Sequence, residues 1–112
     1  MRTKPSVPPI VGVCAGKDCR RSREFGDLTS TLTRCTIVET RCLDICSGPV
    51  VILDPASDDA VILSKLRSSK DRRDLQDVID RGARLSARLK KRRVLGSKRR
   101  AAMRRAARTF RH

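Results

Sequence analysis

Tryptophan and tyrosine are absent from this 112-residue chain, and phenylalanine occurs only at Phe25 and Phe110. Any core must therefore be aliphatic, and no row of aromatic rings is available to stack nucleobases. Long apolar runs are missing as well: nothing approaches the roughly 20 residues of a membrane-spanning helix. The apolar stretch Val7 to Val13 is short and contains Pro8 and Pro9, so no secretory signal is expected. The single histidine, His112, is expected to be solvated rather than a ligand. Neither a Walker-type loop nor a G-x-G-x-x-G fingerprint occurs. No grouping of Ser, His or Lys in the apolar part of the chain suggests nucleophilic or acid–base catalysis, so an enzyme with its own substrate site is not expected. Asp58 and Asp59, the one carboxylate pair, fall where a turn uses Asp for local backbone bonding.

Acidic residues are lacking in one half only. Residues 1–63 hold eight basic and eight acidic residues, whereas residues 64–112 hold nineteen basic residues and four Asp, which accounts for the whole net charge of +15. From Arg81 onward there are fourteen basic residues and no acidic one. The sequence thus divides into a domain, residues 1–90, whose first 63 residues are neutral, and a basic extension, residues 91–112, disordered or helical.

Within the domain, Ile10 to Val13 reads as a buried strand after the prolines. Arg20 to Leu32 is weakly helical, with Phe25, Leu28 and Leu32 on one face and Gly26 against it. Cys35 to Thr40 is rich in β-branched residues and reads as a second strand. Val50 to Leu53 is a third, and Ala60 to Leu63 returns as its hairpin partner after the turn residues Asp54 to Asp59. Asp71 to Lys90 is expected to be one helix, with Leu75, Val78, Ile79, Leu85 and Leu89 on a stripe and Asp71, Asp74 and Asp77 near its positive end. Lys98 to His112 is a further possible helix beyond Gly96-Ser97. The fold class is α/β: a small sheet of about four strands with two helices, plus the basic C-terminal extension.

What the chain does have is cysteine, five in all. An odd count argues against a fully paired disulfide framework, and a reducing cytoplasm is the expected compartment, where clustered thiols favour metal over cross-links. Cys14-x4-Cys19 and Cys42-x3-Cys46 each follow a predicted strand, so both loops can open at one edge of one sheet. Four thiolates gathered there would hold a soft cation or a cluster of iron and sulfide. Small residues beside them, Gly16 and Gly48 among them, let backbone N–H groups approach cluster sulfurs. Structural zinc would accept the same thiolates, but zinc ribbons favour tight C-x2-C knuckles. Buried thiols or a disulfide remain open, whereas a dithiol redox site would want C-x-x-C. Cys35, within the second strand, reads as a buried small hydrophobe rather than a ligand or reactive thiol.

The stretches Val11 to Cys19 and Cys42 to Ile52 together resemble the thioredoxin-like [2Fe–2S] ferredoxins, a group related to the small iron–sulfur subunit of NADH–quinone oxidoreductase. The resemblance covers roughly residues 8–85. The second motif, C-x3-C-x-x-P leading into Val50-Val51-Ile52, is the specific one. It implies that Cys14, Cys19, Cys42 and Cys46 are the cluster ligands, that the fold is thioredoxin-like, that the cluster carries single electrons, and that the chain often pairs as a homodimer. The chain departs from the family in the low aromatic and glycine content of its final hairpin and in its basic extension.

The extension concentrates Lys91, Arg92, Arg93, Lys98, Arg99 and Arg100 as candidate contacts for an anionic partner. A solvated segment is the plainest reading. Three binding uses are physically available: docking an acidic redox protein, unspecific and salt-dependent contact with nucleic acid, and an anionic membrane surface, for which the apolar face is thin. The expected function is that of a soluble electron carrier. The alternative is a metal-stabilised binding module, or a cluster-based sensor, using the extension on nucleic acid.

Overall fold

The computed structural model of the chain describes residues 9–16, 23–41, 43, 49–55, 59–81 and 85–110. Four strands form one mixed sheet: β1 (Ile10–Cys14), β2 (Thr36–Thr40), β3 (Val51–Leu53) and β4 (Val61–Leu63), in the order β2-β1-β3-β4. β1 and β2 run parallel, with Val11 opposite Ile37 and Cys14 opposite Thr40. A parallel pair requires a crossover, and helix α1 (Arg23–Thr31) supplies it. β3 lies antiparallel to β1, Val13 facing Val51, and β4 returns antiparallel to β3. The hairpin leaves β3 through Asp54, whose φ of 55° is a left-handed conformation that a short polar side chain tolerates.

Alternation along the strands divides the aliphatic residues between two faces. Val11, Val13, Val51 and Leu63 point to one side, where they pack with Phe25, Leu28, Leu32, Leu66, Leu75 and Leu89. Cys14, Val50, Ile52 and Ile62 point to the other, against Leu43, Val94, Ala102 and Ala106. Both faces are covered, which is why β1 and β3 read as continuous apolar runs rather than alternating ones.

Among the described residues four helices accompany the sheet: α1, then α2 (Ser69–Arg81), α3 (Ala87–Lys90) and α4 (Gly96–Phe110), the last over the stretch expected as a possible helix in the extension. The single helix expected over 71–90 is thus two. Ser68 and Asp71 open α2 with reciprocal bonds: the Asp71 N–H donates to the Ser68 hydroxyl at 3.1 Å, and the Ser68 N–H donates to Asp71 Oδ2 at 3.3 Å. Such a capping box satisfies two amides that no helix turn can reach. Ser86 then restarts the chain as the N-cap of α3, accepting from the Leu89 N–H at 3.2 Å while donating to Asp74 Oδ2 at 2.9 Å. Ser86, a good cap, is the local reason that a new helix starts there.

Residues 92–110 belong to the packed structure. The Ser64 N–H donates to the Arg92 carbonyl at 2.9 Å and the Val94 N–H to the Ile62 carbonyl at 2.8 Å, so this segment continues the sheet beyond β4. Gly96, at φ 68°, turns the chain into α4, a conformation that glycine adopts without strain. Ala102 and Ala106 then lie four apart on the helix face that covers the sheet.

Candidate metal centre and basic helix face

β1 ends at Cys14, which is 1% exposed. Its main chain is fixed from both sides: the Cys14 N–H donates to the Val50 carbonyl at 2.9 Å, and the Ala15 N–H to the Thr40 carbonyl at 3.1 Å. The thiol lies on the α4 side of the sheet, 3.9 Å from the Arg41 carbonyl, at the limit of a weak sulfur hydrogen bond. Gly16, two residues on, is buried. The chain leaving β1 and the chain leaving β2 therefore depart from the same carboxyl edge, and β3 enters beside them at Val50. Cys19, Cys42, Cys46 and Gly48, the remaining expected ligand and loop positions, lie outside the described residues. Among the described residues no three His, Cys, Asp or Glu side chains gather into a metal-holding group.

The donor chemistry suits a thiophilic centre. Cys14 provides a soft sulfur at a protein-enclosed edge, among aliphatic side chains that would limit the access of water.

Cys35 occupies the far end of the strands. It precedes β2, whose first residue pairs with Ile10, so about 16 Å of strand separates it from the edge that holds Cys14. It is half-buried and packs on the opposite face, against the cluster containing Val11 and Leu28. Burial pushes its thiol above the ordinary range, and the negative charge of Asp80 adds to the effect. Both influences disfavour a reactive thiolate.

The six basic residues singled out in the sequence take different places. Arg92 directs Nε to within 3.7 Å of Asp71 Oδ1, and the Asp71 side chain is 1% exposed. Arg99 donates from Nη2 to the Ala60 carbonyl at 2.7 Å and from Nε at 3.3 Å, tying the start of α4 to the approach to β4. Lys91, Arg93, Lys98 and Arg100 are exposed. Arg100 lines a shallow hollow with Ser97, Arg99, Met103 and Arg104. A second basic group was not singled out from sequence: Arg41, Arg104, Arg105 and Arg108 line a cavity of about 370 Å³ together with Ala101. The repeat Arg100, Arg104, Arg108 at helical spacing was a usable signal for part of it. Nothing in the sequence signalled that Arg41 joins them.

Among the described residues no helix is long and apolar enough to cross a membrane. Compared with protein-family models, curated proteins and solved structures, the chain matches none.

Proposed function

We propose that the chain is a soluble electron carrier with one [2Fe–2S] cluster held by Cys14, Cys19, Cys42 and Cys46, working in a reducing cytoplasm. The observation that carries this reading is the parallel register of Cys14 with Thr40. The chain segments that lead on to Cys19 and to Cys42 therefore start from one sheet edge, which supports a shared site, and in the sequence Cys42 comes two residues after Thr40. The order β2-β1-β3-β4, with β3 reversed, supports a thioredoxin-like architecture, as do an α-helical crossover between β1 and β2 and a hairpin after the second cysteine loop. When bound, such a cluster accepts and returns one electron at a potential set by its environment.

The chain's own residues fix the main chain at Cys14, the first proposed ligand. Backbone bonds from Cys14 to Val50 and from Ala15 to Thr40 restrict the main chain at the first ligand. Val50, Ile52, Ile62 and Ala102 share one buried cluster with Cys14 and would limit water on that side of the sheet, which bears on the potential. The exposed Lys91, Arg93, Lys98 and Arg100 suit docking of an acidic redox protein, since complementary charge speeds encounter more than it adds affinity. A homodimer is part of the same reading.

Anaerobic purification tests the cofactor. The expected product is red-brown, with about two iron and two sulfide per chain, and loses colour reversibly with dithionite. A colourless protein with one zinc per chain would overturn the proposal.

A further inference from the structure

We propose that the cavity between Arg41 and α4 binds phosphate-bearing anions. Arg41 follows β2, and Arg104, Arg105 and Arg108 come from the second half of α4, so four guanidinium groups from two separate elements converge on about 370 Å³. That volume falls within the range of small-molecule sites. Guanidinium is the side chain whose planar fork matches phosphate oxygens two at a time.

The arrangement is costly without a counter-charge. Arg100, Arg104 and Arg108 repeat at i, i+4, where like charges repel. α4 has no acidic residue in its first turn, and its sequence contains none at all. Among the described residues no ion pair joins Arg41, Arg104, Arg105 or Arg108 to a carboxylate. The helix dipole favours Arg108, in the last turn, but offers nothing to Arg104 and Arg105 at mid-helix or to Arg41 on another element. The neighbouring helix face is occupied differently: Ala102 and Ala106 face the sheet, and Arg99 is bonded to Ala60. Unlike Arg99, the arginines of the cavity are available to an external anion, and among the described residues they alone line one cavity with an arginine from another element. The guanidinium groups match phosphoryl oxygens, and the chain has no Trp or Tyr to add base stacking to that contact. It does not depend on the cluster.

The test uses the full chain, with inorganic tripolyphosphate as probe in titration calorimetry at 0.15 M salt. A single-stranded oligonucleotide is the second arm, to separate free phosphates from those of a nucleic-acid backbone. The variants are R104Q/R105Q/R108Q in the cavity and R23Q/R72Q/R73Q away from it, which lower the net charge equally. The expected result is saturable tripolyphosphate binding that the cavity variant weakens at least about tenfold and the distant variant less than about twofold. Oligonucleotide binding displaced by tripolyphosphate, with the same dependence on the cavity, would assign the phosphates to a nucleic-acid backbone and support the same site. Absence of binding by both probes would overturn the proposal, and so would equal losses in the two variants, which would mean bulk charge alone. Far-ultraviolet circular dichroism checks that the cavity variant is folded. If it is not, R41Q alone replaces it, with a loss of about threefold or more expected and an unchanged affinity contradicting the site.

Discussion

Cys14 and Thr40 stand side by side at the carboxyl ends of two parallel strands, joined by the Ala15 N–H donating to the Thr40 carbonyl at 3.1 Å. Adjacent strands are about 4.8 Å apart, so the two cysteine loops begin one strand spacing from each other. The proposed ligand set then predicts a pattern across single substitutions. Serine at Cys14, Cys19, Cys42 or Cys46 lowers iron per chain well below two, whereas Cys35→Ala leaves it unchanged and costs about 1 kcal/mol or less in stability. Iron and sulfide analysis of the five variants checks this. Cys14→Ser also sets a hydroxyl among Val50, Ile52 and Ile62, so Cys42→Ser is the cleaner single test.

Asp71 and Arg92 join α2 to the segment that extends the sheet. Asp71→Ala removes the second half of the capping box and leaves Arg92 without its carboxylate. A loss of about 2 kcal/mol is expected. Arg92→Met costs at least as much, because the charge then left alone is the fully buried one. The double variant is less destabilised than the two losses added together, which urea unfolding of all three would measure. Full additivity would mean that the pair is not coupled.

Gly26 lies inside α1, and a Cβ built there meets nothing within 4 Å. Its φ is not in the left-handed region. Gly26→Ala is therefore expected to raise stability by about 0.5–1 kcal/mol through helix propensity and a less flexible unfolded chain. A lower melting temperature than the parent would contradict this.

Arg34 grips Asp80 with two bonds of 2.7 Å, and Gln76 donates to the same carboxylate at 2.9 Å. The hydrogen bond from Arg34 is the main cause holding the Asp80 carboxyl down at about 2, from an ordinary 3.8. Because the folded value is the lower one, the pair stabilises above pH 4 and the contribution fades as pH falls from about 4 to about 2. The stability difference between the parent and Asp80→Asn should be largest near neutral pH and shrink over that interval. A difference that stayed constant with pH would mean that the carboxylate charge is not involved.

Three strands were legible because Ile10 to Val13, Val50 to Leu53 and Ala60 to Leu63 are short aliphatic runs each preceded by Pro or Asp, and Cys35 to Thr40 because of its β-branched content; all four appear within a residue or so. The division of α2 from α3 was not, since Leu75, Val78, Ile79, Leu85 and Leu89 keep a continuous stripe across Gly82 and Ser86. The apolar pattern outweighed two local stop and start signals. On α4 the expected apolar face of Met103, Ala106, Ala107 and Phe110 holds in part: Ala106 is buried and Met103 packs beside it, but Ala107 is exposed and Ala102 takes its place, small alanines giving a weak hydrophobic signal. Arg41 and Arg104 are 63 positions apart, and no local pattern connects them. The candidate cluster site was read from cysteine spacing and from a family resemblance, and of its four ligands Cys14 alone lies within the described residues.

Reductive titration of the anaerobically purified protein, followed by electron paramagnetic resonance, tests the central claim most directly. The account predicts uptake of one electron per chain, a signal silent in the oxidised protein and present at about one spin per chain after reduction, and loss of that signal in Cys42→Ser. No electron uptake, with one zinc per chain on elemental analysis, would contradict it.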